Sequence, residues 1–308
     1  MVASRQMALL AVGVLLAFTS GIAIASDPRP KPKAHAVAVV APASSVEAET
    51  LPPPRVYLFR GALGPLFSTG IDKLAVRLTE AGLTADVYEF TLCRLVADRA
   101  ISNYRKEPAP IVLIGHSMGG LCTIIFAEML AGENIPVSLV VTIDPAHASG
   151  KVPLNVERFI NIFLSDSVLG GGDIVAEPGY RGHYASFDLK QNKRVTHINI
   201  EKSDDIHAQL VDMITRLPRV PMQTVGETVP LRYLVPGDTK VELWDSGIKL
   251  PVRSGGTLER LGAQYRLPVW SLLQANRLPE NAPLFAGQEI VIPRHLLPAE
   301  TAPAEHRH

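Results

Sequence analysis

Ile111-Val-Leu-Ile-Gly-His-Ser-Met-Gly-Gly120 is the stretch whose reading decides the fold. Four apolar residues, three of them β-branched, run directly into Gly115-His-Ser117-Met-Gly119, and a helical pattern from Leu121 to Leu130 follows at once. The order is strand, sharp turn, helix, with a serine at the apex. Glycines two before and two after Ser117 let neighbouring backbone pass where a Cβ would clash. A serine lifted out of a sheet in this way is set up as a nucleophile, and the flanking strand and helix give the short glycine–serine pattern its specificity.

Working outward, Val56-Tyr-Leu-Phe59 reads as a buried strand ending in Arg60-Gly61-Ala-Leu-Gly64. The spacing of Ile71, Leu74, Ala75 and Leu78 predicts a helix over Gly70 to Ala81, with Gly82 placed to end it. A strand over Asp86 to Phe90 and a helix over Val96 to Tyr104 come next. Beyond the elbow, strands are expected at Ser138 to Ile143, Arg158 to Leu164 and Arg194 to Ile200, and a helix opens at Ser203. Strands apolar on both faces, alternating with helices, indicate an α/β fold whose parallel sheet is covered on both sides. After Leu217 the pattern breaks into short runs, with Pro236-Gly237-Asp238 suggesting a hairpin between Leu231–Val235 and Lys240–Trp244.

The start of the chain carries Arg5, an apolar run from Met7 to Ile24, and Ala23-Ile24-Ala25, the pattern of a signal peptide cut after Ala25. An uncleaved anchor is the alternative, and a membrane is a partner only in that case. Either reading makes the protein exported, in the periplasm or cell envelope. The domain plan is a signal peptide over 1–25, a Pro/Ala-rich linker over 26–54, an α/β domain over 55–219, a β connector over 220–249, a small second domain over 250–294 and a disordered tail over 295–308. His306 and His308 in that tail do not make a metal site. Net charge is zero and no basic stripe appears, which excludes nucleic acid as a partner. The two cysteines, Cys93 and Cys122, sit among apolar neighbours and read as buried thiols, although export would permit a disulfide.

Gly115-His116-Ser117-Met118-Gly119-Gly120 in its strand–helix setting, followed along the chain by acids and histidines, resembles the α/β-hydrolases of the lipase and esterase type over Val56 to about Arg219. The resemblance implies acyl transfer through a serine ester, no cofactor and an acyl-ester substrate. Ser117 is then the nucleophile. His197, in His197-Ile-Asn-Ile200, looks like the family's base, with His207 in the first turn of the following helix as the alternate. Asp144 ends a strongly apolar strand and suits the acid; Asp166, after the next strand, is the alternate position that the family also uses. The oxyanion hole implied by the family uses the backbone N–H of Met118 and one from the turn at Gly61 or Ala62, Gly61 being the first choice. Arg60 stands where the family often has histidine. Part of Ala146 to Tyr184 is expected to cover the site as a flap.

Across Leu250 to Arg294, a β–α–α–β pattern with Thr257-Leu258, Tyr265, Asn276, Leu278, Gly287-Gln288 and Ile292-Pro293 resembles a LysM module, departing from it at Gly256 where the family usually has Asp. LysM modules bind N-acetylglucosamine glycans such as peptidoglycan, which assigns Gly256, Thr257, Asn276 and Leu278 to the groove. Two functions follow. One is an exported serine hydrolase held at the cell wall; the other is a peptidoglycan-binding adaptor whose hydrolase fold is inactive. Because the triad lies wholly before Leu217, the two parts read as separable, and deleting Leu250 to His308 is expected to leave small-ester turnover nearly unchanged.

Overall fold

The structure is a computed structural model that describes residues 52–62, 64, 68–217 and 228–294. The expected signal peptide, nearly all of the linker and the tail lie outside the described residues. Among the described residues no helix is long and apolar enough to cross a membrane.

Seven strands make one all-parallel sheet: β1 (Arg55–Arg60), β2 (Thr84–Glu89), β3 (Ile111–His116), β4 (Leu139–Ile143), β5 (Arg158–Phe163), β6 (His183–Asp188) and β7 (Leu231–Leu234), in the order β2-β1-β3-β4-β5-β6-β7. The chain leaves β1 to lay β2 on one side, then returns to lay β3 on the other. That reversal opens a crevice at the carboxyl ends of β1 and β3, the place where open α/β sheets hold their sites. The Ser117 turn and the turn at Gly61 both fall there.

Alternate residues of the strands build two cores. Val56, Leu58, Val112, Ile114 and Val141 face α1 (Thr69–Glu80) and α4 (Asp204–Arg216). Tyr57, Phe59, Leu113, Val140 and Phe159 face α2 (Cys93–Lys106) and α3 (Met118–Gly132). Periodicity of two in the strands and of three to four in the helices produces both layers.

Three expectations are corrected. Arg194 to Ile200 is not a strand: the Thr196 carbonyl accepts from the amides of Asn199 and Ile200, and Asn199 Oδ1 accepts from Thr196 N–H at 2.7 Å, so local backbone bonds and the Asn199 side chain close a turn. The strand in that part of the sheet is β6, which begins at His183. The hairpin across Pro236-Gly237-Asp238 does not form either, because Leu231–Leu234 pairs parallel to β6 and Lys240–Trp244 carries no strand. Finally, Cys93 and Cys122 are not thiols but a disulfide, with Cα atoms 5.6 Å apart. The facing helices α2 and α3 bring the two residues within bonding reach.

The second part comprises β8 (Ser246–Pro251), α5 (Leu258–Tyr265), α6 (Val269–Asn276) and β9 (Glu289–Arg294), with β8 and β9 antiparallel. It is not a bead on a string. Leu258, Leu272, Ile290 and Ile292 share one buried cluster with Phe187, Leu231 and Tyr233 of the large sheet. Trp244 and Trp270 close over Tyr233, with ring centroids 5.2 and 5.5 Å from it. The Gln274 side chain behaves like a strand's peptide group at the sheet edge, accepting from Leu234 N–H at 2.9 Å and donating to Leu234 C=O at 2.7 Å. At the amino ends of the strands, Asp245 is fully buried between Arg294, at 3.1 Å, and Arg158 of β5, at 3.8 Å. His183 Nδ1 of β6 lies 2.8 Å from Ser246 Oγ. The separable arrangement expected from sequence therefore gives way to a continuous core.

Candidate active site

Ser117 has φ 55° and ψ −120°, a conformation that L-residues avoid and that costs on the order of 1–3 kcal/mol unless the surroundings enforce it. Here they do. Ser117 N–H donates to Ile143 C=O at 3.0 Å, and its carbonyl accepts from Ala146 N–H at 3.2 Å. A Cβ on Gly115 would overlap the Gly119 carbonyl, and one on Gly119 would overlap the Phe59 carbonyl. The glycines are thus needed for the elbow to lie against β1.

Asp144 is wholly buried at the end of β4, itself at φ 40°. Oδ1 accepts from the amides of Leu164, at 3.0 Å, and Gly171, at 2.8 Å. Oδ2 accepts from His197 Nδ1 at 2.7 Å. With both oxygens used, the carboxylate is fixed and the imidazole is held with its proton on Nδ1, leaving Nε2 an acceptor. The loop from Leu164 to Asp173, which lies within the Ala146 to Tyr184 segment, part of which is expected to cover the site, fastens the acid through Leu164 and Gly171. Ser117 Oγ makes no hydrogen bond to His197 in this state; such bonds commonly close only when substrate is bound.

The alternates stand elsewhere. Asp166 is exposed and lies 3.7 Å from Lys193. His207 is fully buried, its Nε2 donating to Glu201 C=O at 2.7 Å, and burial is the main cause of its lowered pKa. It ties α4 to the short 3-10 turn Ile200–Lys202 and does not meet Asp144. His147 is exposed, 3.3 Å from Ser167 C=O. His183 is a buried residue of the second part's docking cluster, pushed down to about 3 by burial and then by Arg294 and Arg158.

The turn after β1 abuts the serine: a Cβ on Gly61 would lie 2.8 Å from Ser117 Cβ and 3.3 Å from Oγ. The Gly61 amide, however, donates to Ser68 Oγ at 3.1 Å. It is therefore engaged, and the amide of Ala62 follows it in the same turn. Met118 N–H is the first of α3, one of the donors that a helix cannot satisfy internally. Arg60 bridges Asp72 and Glu89, the latter at 2.8 Å, and is a structural ion pair behind the turn.

Sequence reasoning missed Ser68 and His116. His116 is buried, one residue before the serine, and its position inside the elbow pattern was the available signal. Ser68 carried none, since it reads as a helix cap.

In the second part, Thr257 caps α5, its Oγ1 accepting from Arg260 N–H at 3.2 Å. Gly256 lies in the turn before it, its N–H on Arg253 C=O at 3.0 Å. Asn276 faces inward: Nδ2 donates to the carbonyls of Leu272 and Val291, both at 2.8 Å, and Oδ1 accepts from Val291 N–H at 2.6 Å. It holds α6 to β9. Leu278 N–H donates to Leu273 C=O at 2.9 Å. Residues 253–255 and 279–281, which adjoin the expected groove residues Gly256, Thr257, Asn276 and Leu278, are exposed.

Residues 252–293 match the LysM domain family. A solved structure from Xanthomonas campestris pv. campestris, provisionally described as a hydrolase of the alpha/beta superfamily, is 20% identical and covers 38% of this chain and 75% of its own, with a TM-score of 0.28. No curated protein matches the chain. The chain joins a seven-stranded parallel α/β sheet, with a serine turn after β3, to a segment that matches the LysM domain family.

Proposed function

We propose that the protein is an exported serine hydrolase that cleaves an acyl ester and is held at the cell wall by its LysM domain. The observation that carries this reading is the 2.7 Å bond between His197 Nδ1 and the buried Asp144, beside a serine kept in a strained elbow. Ser117 Oγ attacks the acyl carbon while His197 Nε2 takes its proton. Asp144 keeps Nδ1 protonated and stabilises the imidazolium that forms. The N–H groups of Met118 and Ala62 receive the oxyanion. His197 then returns the proton to the departing alcohol, and water repeats the sequence on the acyl-enzyme. Val168, Leu169 and Ile198 are exposed beside the Asp144 and His197 loops and give an acyl chain an apolar surface. The LysM match supports N-acetylglucosamine glycans such as peptidoglycan as the second ligand. The amino-terminal sequence pattern and the disulfide favour an oxidising compartment outside the cytoplasm.

Covalent labelling by a fluorophosphonate and turnover of p-nitrophenyl acetate and butyrate test the chemistry. Both are expected in the native protein, and Ser117→Ala should lose labelling and on the order of 10⁴-fold in turnover. A native protein that is folded, binds peptidoglycan and shows neither activity would instead be the inactive adaptor.

A further inference from the structure

Three hydrogen bonds behind the elbow form a chain that the acyl-transfer steps above do not use. His116 Nε2 lies 2.9 Å from His197 C=O. A carbonyl only accepts, so Nε2 carries a proton. Burial, with His197 next, lowers the His116 pKa to about 4, so the ring is neutral near pH 7 and Nδ1 has no proton. Ser68 Oγ, 2.9 Å from Nδ1, must then donate to it. The same Oγ accepts from Gly61 N–H at 3.1 Å. Donors and acceptors run in one direction, from Gly61 through Ser68 and His116 to His197, with no polar atom left over along it.

Ser68 stands at the N-cap of α1, where a serine hydroxyl ordinarily accepts from the helix's first amides and contributes about 1 kcal/mol. It makes no such bond. The Glu201 side chain packs against Gly70 in that first turn instead. A capping serine has been drawn away from its helix toward the site. The two ends of the chain are the two pieces whose mutual position acyl transfer depends on: the turn that offers the Ala62 amide and the loop that carries His197. The His116 and His197 rings also pack, with centroids 4.8 Å apart.

We propose that His116, with Ser68, is a positioning residue that sets the His197 base in register with the oxyanion turn. It touches neither substrate nor the reacting atoms; it acts through backbone at both ends. This inference rests on the serine-hydrolase reading.

The two ring nitrogens can be tested separately. His116→Phe keeps the ring and removes both bonds. Gln at this position can return an N–H near the Nε2 place, and Asn can return an acceptor near the Nδ1 place. His116→Phe is expected to lower kcat by about 10- to 100-fold with KM changed less than about twofold, because misplacement by about an ångström costs rate rather than affinity. His116→Gln should recover part of that loss. Ser68→Ala, which deletes one oxygen, should lower kcat in the same sense and serves if His116→Phe does not fold. The far-downfield proton resonance of the His197–Asp144 bond is read in parallel, since it needs no turnover; His116→Phe should shift or broaden it. Folded variants with unchanged kcat and an unchanged resonance would overturn the proposal. A native protein without turnover, whose resonance is still lost in His116→Phe, would uphold the positioning and remove the hydrolase reading instead.

Discussion

Ending the chain at Pro251, so that residues 252–308 are absent, is expected to unfold the α/β part as well as remove the LysM part. The magnitude can be assembled from three losses. Without Arg294, the buried Asp245 loses its nearer guanidinium and keeps Arg158 at 3.8 Å and the Ser246 hydroxyl at 3.1 Å, and breaking a buried ion pair costs about 3 kcal/mol or more. Without Gln274, the N–H and C=O of Leu234 lose both bonds, about 1 kcal/mol each. Without Trp270, Tyr233 and Trp244 lose an aromatic neighbour whose deletion costs about 3 kcal/mol or more. Together these come to about 8 kcal/mol, of the same order as the whole stability of a domain. The assay is urea denaturation followed by near-ultraviolet circular dichroism, beside p-nitrophenyl acetate turnover, on the native and shortened chains. A shortened chain with the native urea midpoint and native turnover would refute the shared core.

Asp144→Asn should lower kcat on the order of 10³- to 10⁴-fold, since its single oxygen is needed by the Leu164 and Gly171 amides, its NH₂ then faces His197 Nδ1, and the wrong tautomer results; Asp166→Asn should leave ester turnover unchanged. Asn276→Ala should lower the melting temperature of the whole protein, because the Val291 amide and carbonyl lose their partner at about 1–3 kcal/mol each; a variant that loses glycan binding at native melting temperature would return Asn276 to the groove. Glu201 is raised to about 7, chiefly by burial, with Lys202 and the amides of Ile71 and Gly70 opposing. A carboxyl whose folded pKa lies above its unfolded value favours the fold at low pH, so this group's contribution declines as pH rises from about 4.3 to about 7. Urea midpoints at pH 5 and pH 8 should therefore differ less in Glu201→Gln than in the native protein, and an identical difference would show that Glu201 does not titrate in that window.

What was legible followed from periodicity and from strand ends. The elbow declared itself because a β-branched run, two spaced glycines and a helical pattern are contiguous, and Asp144 because it stops the most apolar strand. His197 was legible by its neighbours even though the strand drawn around it was wrong: Ile198 and Ile200 alternate with His197 and Asn199 as in a strand, but Thr196 and Asn199 satisfy the backbone locally and turn it. β6 was hidden because His183 and Ser186 are buried polar residues whose partners, Ser246 and Asn161, are remote in sequence. Arg158, Asp245 and Gln274 escaped for the same reason. A charged or amide side chain reads as surface until its partner is known, and pairing between elements is not written in local spacing. That the Gly61 amide is engaged could not be read, because nothing local reveals that Ser68 folds back onto it.

The Cys93–Cys122 bond closes a loop that contains β3 and the elbow itself, with a sequence separation of 29. A loop of that size removes denatured-chain entropy worth about 3–4 kcal/mol in the simplest account. A cytoplasm kept reducing withholds that contribution, and an oxidising compartment supplies it. The same polypeptide is consequently a looser molecule in a reducing compartment than in an oxidising one. Under the proposed function, compartment would act as a safeguard: a hydrolase of ester bonds would gain its full rigidity only outside the reducing cytoplasm.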